Sequence, residues 1–223
     1  MTPMKRLILA ALAATSLAAA LSACAPVIIG GAAMTALVVT DRRTSGTQLE
    51  DEGIELRAGS RIRDTLGSRV HVNVNSYNRQ VLLTGEAPDA ATRQTVEDTV
   101  SRVENVRSVV NDIAIAAQST LSQRSSDTLI TGKVRASLVD ARDLSANAFR
   151  VVTERGTVYL MGRVTSREAD RATQIARNVS GVTRVVRIFE VISEEDLARM
   201  SNSRAAQPAT RPAQPEKSPQ TGY

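Results

Sequence analysis

Few side chains in this 223-residue chain are placed for chemistry, and two of the types that do most of it occur once each: Cys24 and His71. A single thiol forms no internal disulfide, so the mature fold must be held by packing. A single imidazole builds no His/Cys metal cluster, and nothing around His71 suggests a Ser-His-Asp arrangement. His71 lies among Val70, Val72 and Val74, where an outward polar residue is the expected filler of an alternating strand. Thr131-Gly132-Lys133 lacks both the upstream glycine and the hydroxyl after lysine that a phosphate loop requires. The chain therefore reads as a non-enzyme with no catalytic residue, no metal and no soluble cofactor. What remains is the thiol of Cys24.

The residues before Cys24 say what that thiol is for. Lys5 and Arg6 precede an uncharged Ala/Leu-rich run from Leu7 to Leu21, and Ser22-Ala23 separates the run from the cysteine. Cations, a short apolar segment and small residues are the parts of an export signal, and the run is too short for a comfortable membrane span. Leu21-Ser22-Ala23-Cys24 resembles the lipobox of bacterial lipoproteins, which implies a diacylglycerol on the Cys24 sulfur, cleavage before it and acylation of the freed amine. Acyl chains contribute about 0.8 kcal/mol per buried CH₂, so two or three of them hold a protein at a bilayer. Residues 1–23 are read as a signal peptide and the lipid on Cys24 as the one covalent group. Ala25 in place of Asp resembles lipoproteins sorted onward, so the expected location is the outer membrane, lipid-anchored, on the periplasmic side. Lys and Arg number 28 against 23 Asp and Glu. With no aromatic-studded basic motif, this small excess predicts an anionic phospholipid membrane as partner, and no nucleic acid.

Residues 24–48, with Pro26, Gly30 and Gly31 in an apolar stretch, read as a tether. Residues 194–223, with Pro208, Pro212, Pro215 and Pro219, read as a Pro/Ala/Gln-rich disordered tail. Between them the chain repeats itself. Val81-Leu82-Leu83-Thr84-Gly85 returns as Val158-Tyr159-Leu160-Met161-Gly162, and Val106-Arg107-Ser108-Val109-Val110 as Val182-Thr183-Arg184-Val185-Val186. Two domains follow, 49–116 and 127–193, joined by a linker at 117–126. Each shows a leading helix (Ile54, Ala58, Ile62, Leu66; Ile130, Val134, Leu138), a hairpin with one buried face, a second helix and a returning strand. The class is α+β: twice αββαβ, with a three-stranded mixed sheet packed on two helices. Asp127 reads as the N-cap of the second leading helix, and Gly85 and Gly162 as small residues at strand ends.

The repeated unit resembles the BON domain, on Val158-Tyr159-Leu160-Met161-Gly162 followed by Gly181, Val182 and Val185. Asn105 stands where the second unit has Gly181, a swap that asparagine's tolerance of left-handed backbone allows. The resemblance to dual-BON lipoproteins implies that the leading helix of the second unit meets anionic phospholipid, with Leu129, Ile130, Lys133, Val134 and Arg135 as contact residues. It also implies a role in envelope integrity, with division sites as a place of action. The alternative is a protein-interaction scaffold for outer-membrane assembly or cell-wall remodelling machinery.

Overall fold

The computed structural model describes residues 41–205. The signal peptide, Cys24, the tether up to residue 40 and residues 206–223 lie outside the described residues.

Helix α1 (Ser45–Leu66) starts at Thr44, whose side chain accepts the Thr47 N–H, and buries Ile54, Ala58, Ile62 and Leu66 at the four-residue steps of one helical face. Strands β1 (His71–Tyr77) and β2 (Gln80–Ala87) pair antiparallel. Helix α2 (Ala90–Ser101), capped by Asp89, carries the chain across to β3 (Ser108–Asn111) and β4 (Ala114–Ile115), both parallel to β2. The returning strand is thus split in two by Asp112-Ile113. The second domain repeats the order with α3 (Leu121–Asp140), β5 (Phe149–Glu154), β6 (Thr157–Val164), α4 (Ser166–Arg177) and β7 (Arg184–Val191). Its sheet runs β5-β6-β7, antiparallel then parallel. The α+β class and the mixed sheet on two helices are as expected.

Each sheet packs one face on its own helices. Val81 and Leu83 join Ile54, Ala58, Val96 and Val100, while Val158 and Leu160 join Val134, Leu138, Ala172 and Ala176. The other faces meet each other: Tyr77 and Leu82 pack with Tyr159, Met161 and Ile188 in a third core shared by both domains. The hairpins were expected to bury one face, yet β2 and β6 are buried on both. A central strand covered on both sides reads as a continuous apolar run rather than an alternation, and Val81-Leu82-Leu83 and Val158-Tyr159-Leu160-Met161 are such runs. Polar contacts rim the seam: Arg150 reaches Glu55 at 2.7 Å, Tyr159 donates to Asp112 at 2.7 Å, and Asn73 donates to Glu154 at 2.9 Å.

Five expectations are corrected. Helix α3 begins at Leu121, inside the expected linker, because Thr120 and Gln123 form a reciprocal capping box there. Asp127 is therefore not an N-cap; it is buried, and its carboxylate accepts the backbone N–H groups of Arg155 at 2.8 Å and Gly156 at 2.9 Å in the β5–β6 turn. The tail assignment fails over its first part, since Glu194–Ala205 is a helix, α5, with Glu194, Glu195 and Asp196 in the first turn, where acids suit its dipole. The tether ends early, because α1 takes up Ser45 to Gln48 and residues 41–44 are pinned to the body. Gly85 and Gly162 lie within strands rather than at turns, and the neighbouring backbone requires them. A Cβ on Gly85, whose φ is +110°, would lie 2.0 Å from the His71 carbonyl oxygen, and one on Gly162 would lie 2.4 Å from that of Ala148. Gly181 and Asn105 both adopt positive φ, at 96° and 68°, as the repeat alignment predicts.

The pinned segment joins both domains. Arg42 makes two 2.7 Å bonds to the Glu168 carboxylate on α4 and one of 2.9 Å to the Arg163 carbonyl. Arg43 bonds Asp41 and Asp51 and lies 4.3 Å above the Tyr77 ring. Burial pushes the Glu168 carboxyl up, but the Arg42 guanidinium and the Thr165 N–H outweigh it and hold the group below its ordinary value. A carboxyl depressed in this way stabilises the fold above the ordinary Glu value of about 4.3, and that contribution is lost as the pH falls through the lower, folded value. Acidification is thus expected to release residues 41–44 from α4. The carboxyl carbon shift of Glu168 should titrate below the range of an unpaired Glu, and a midpoint at or above that range rejects the strap.

Candidate functional site

Helix α3 turns Asp127, Ile130, Val134 and Leu138 inward. At about 100° per residue, the opposite face carries Leu121, Ser125, Leu129, Gly132, Ala136 and Val139, a strip without a charge. Leu121 is 80 % exposed, Leu129 67 % and Val139 68 %. Lys133 and Arg135 flank the strip on opposite sides, both exposed. Lys133 Nζ lies 3.3 Å from Ser180 Oγ, and Arg135 has no hydrogen bond or ion pair among the described residues. Of the five contact residues expected from sequence, the structure brings Leu129, Lys133 and Arg135 to one surface. Ile130 and Val134 are removed from it: they are buried beneath the helix, at 6 % and 0 % exposure, because the fold needs them in its core.

Comparison with the first domain separates what the fold requires from what it does not. Aligning Asp51 with Asp127 places Ile54 on Ile130, Ala58 on Val134 and Ile62 on Leu138, all buried. On the outward face the same alignment sets Ser45 against Leu121, Gly53 against Leu129 and Arg63 against Val139. The three outward apolar residues of α3 thus serve nothing that the shared fold demands. Helix α1 exposes Leu49 and Leu56 instead, with the acid Glu52 beside them. A Cβ on Gly132 meets open space, so Gly132→Ala should stabilise the protein by about 0.5–1 kcal/mol through helix propensity alone. Urea unfolding measures it, and a loss of stability would mean that the strip is covered.

His71 is not mere filler, since its Nδ1 lies 3.0 Å from Glu86 Oε2 at the domain seam. Burial raises the Glu86 carboxyl, but His71 and Ser119 outweigh this and hold it below its ordinary value; burial drives Glu154 in the opposite direction. Among the described residues no three His, Cys, Asp or Glu side chains are grouped to hold a metal, and no helix is long and apolar enough to cross a membrane.

Sequence reasoning missed Asp51, the seat of Asp127, and the Arg42–Glu168 strap. The signals were present: Asp-x-x-Ile stands in both leading helices, and Thr165-x-x-Glu168 is a capping box.

A leading helix tied by its aspartate to the tip of a hairpin, a crossing helix and a parallel return, twice over, define a tandem α+β module. The BON-domain family model matches residues 51–117 and 126–193, and the chain belongs to that family, with two copies. It is similar to the outer membrane lipoprotein DolP of Haemophilus influenzae, at 34 % identity over 77 % of this chain and 90 % of that protein. It is also similar to the 21 kDa hemolysin of Actinobacillus pleuropneumoniae, at 32 % identity over 68 % of this chain and 79 % of that one. Among solved structures, the CdsD protein of the Chlamydia trachomatis type III secretion system aligns with 69 % of this chain and 97 % of its own, at 14 % identity and a TM-score of 0.28.

Proposed function

We propose that this chain is a lipoprotein of the outer membrane, anchored through Cys24 on the periplasmic side, that binds anionic phospholipid with the outward face of α3 and so supports envelope integrity, with division sites as a place of action. The carrying observation is the uncharged strip of Leu121, Leu129 and Val139, exposed on α3 between Lys133 and Arg135, where the leading helix of the first domain has Ser45, Gly53 and Arg63. Each leucine drawn into a bilayer contributes about 1.5–3 kcal/mol, and each cation near an anionic surface about 1 kcal/mol. Such a face binds weakly alone, but a lipid anchor keeps it at high local lipid concentration. The outer-membrane name of the Haemophilus relative supports the location.

The test is flotation of the mature chain carrying Cys24→Ser with phosphatidylglycerol or phosphatidylcholine vesicles. Preference for the anionic vesicles, lost in Leu129→Glu with the fold intact, is the expected result. Equal binding to both vesicle types, or an unaffected variant, sinks the lipid reading. Leu49 and Leu56 on α1 favour a second reading, contact with outer-membrane assembly or cell-wall machinery. It predicts a stoichiometric crosslinked protein that Leu56→Glu abolishes.

A further inference from the structure

On the Arg135 side of α3 a cleft of 520 Å³ opens between the domains, within the size range of about 300–1,000 Å³ usual for small-ligand sites. Arg43, Arg135 and Arg150 line it, against the one carboxylate of Asp41. Leu138 and Phe149, both buried, make part of its wall apolar. Two of the guanidinium groups are fixed in place: Arg43 by Asp41 and Asp51, Arg150 by Glu55, by the Ser76 carbonyl at 3.0 Å and by Asn75 at 3.0 Å. The carboxylates of Asp51 and Glu55 belong to α1 and do not line the cleft. Arg135 has no hydrogen-bond or ion-pair partner among the described residues. Each guanidinium has five N–H donors in a rigid fork suited to phosphate oxygens, and Arg150 Nε is unused by these contacts. Val139, on the outward strip, also lines the cleft, so cations and lipid-facing surface are continuous.

We infer that this cleft is a subsite for a phosphate-ester headgroup, gripped by Arg135 and Arg150, which leaves the acyl chains of the same lipid to run along Val139 and Leu129. The choice of a lipid as the ester's source rests on the reading of α3 given above; the phosphate site itself does not.

The mature Cys24→Ser chain would be titrated with dihexanoyl phosphatidylglycerol below its micellar concentration, with glycerol 1-phosphate and with inorganic phosphate, reading amide and arginine side-chain nitrogen shifts. Saturable shifts at Arg135, Asn147 and Arg150 are expected. Arg135→Gln should weaken binding about tenfold, the scale of one charge-assisted contact, and being exposed and unpaired it should not disturb folding. Arg93→Gln, an exposed cation on α2, should change nothing. Tighter binding of the short lipid than of inorganic phosphate assigns the site to a headgroup, and equal binding assigns it to free phosphate. No saturable shift in the cleft with any of the three, or affinity unaltered by both Arg135→Gln and Arg150→Gln, overturns the inference. All three ligands are monomeric, so cleft shifts without vesicle flotation would sink the α3 surface and leave the cleft standing, and the reverse would sink the cleft alone.

Discussion

Asp127→Ala is expected to lower the stability of the protein by about 3–5 kcal/mol, since two backbone N–H groups lose their acceptor at about 1–3 kcal/mol each. The carboxylate is 7 % exposed and holds two backbone N–H groups of the β5–β6 turn. Both central residues of that turn, Arg155 and Gly156, are left-handed, with φ of 51° and 72°. That geometry matches the twist of a two-residue hairpin, but it is costly for arginine. Losing the acceptor leaves two N–H groups without a partner at the tip of a strained turn. Asp51→Ala should cost at least as much, since Asp51 accepts from Ser76 Oγ and from the N–H groups of Asn78 and Arg79, all within 2.8 Å, and also bonds Arg43. The Asn78-Arg79 turn has the same left-handed pair, at 51° and 67°. Urea midpoints with unchanged m-values measure both. A loss under about 1 kcal/mol, smaller than one charged hydrogen bond contributes, would remove the aspartates from this role.

That role shows where sequence reading stopped. The apolar spacing of Ile54, Ala58, Ile62 and Leu66, or of Ile130, Val134 and Leu138, is local and was legible, as was the repeat that gives both sheets one topology. An aspartate one turn before an isoleucine looks the same whether it caps a helix or reaches across to a turn 28 residues later. Its partners are backbone groups, which have no letter in a sequence. The shared core of Tyr77, Leu82, Tyr159, Met161 and Ile188 was hidden for a different reason. Apolar residues on both faces say that a strand is covered twice, but not by what. Helix α3 was half legible: Leu129 stands out as off the core stripe, whereas the cleft beside it is made by residues from four separate stretches of chain.

The strap and the α3 face belong to one arrangement. Asp41 and Val139 line the same cleft, so the strap lies beside the outward strip of α3. Arg42 and Arg43 bond to opposite domains there, which fixes it to the body. Under the proposed reading, weak contacts at α3 suffice to orient a protein that a lipid on Cys24 already retains at a bilayer.

Gly85→Ala is the second substitution expected to cost about 3–5 kcal/mol, and it does so with one methyl group. A left-handed backbone penalises any Cβ by about 1–3 kcal/mol, and here the φ is +110°. The added carbon would also sit 2.0 Å from the carbonyl oxygen of His71 and 3.2 Å from the Cα of Val72. Those are backbone atoms of the paired strand, in a ladder that sets Val72 opposite Gly85 and His71 opposite Glu86. They cannot rotate away as a side chain would, so β1 must separate from β2 to admit the methyl. The separation would pull His71 from Glu86, leaving a fully buried carboxylate with one partner fewer. Gly132→Ala, the same change at an open helical position, acts in the opposite direction, so the pair isolates backbone approach from the intrinsic cost of replacing glycine. If Gly85→Ala unfolds within about 1 kcal/mol of the parent in urea, the strand contact at that position is not as close as the structure has it.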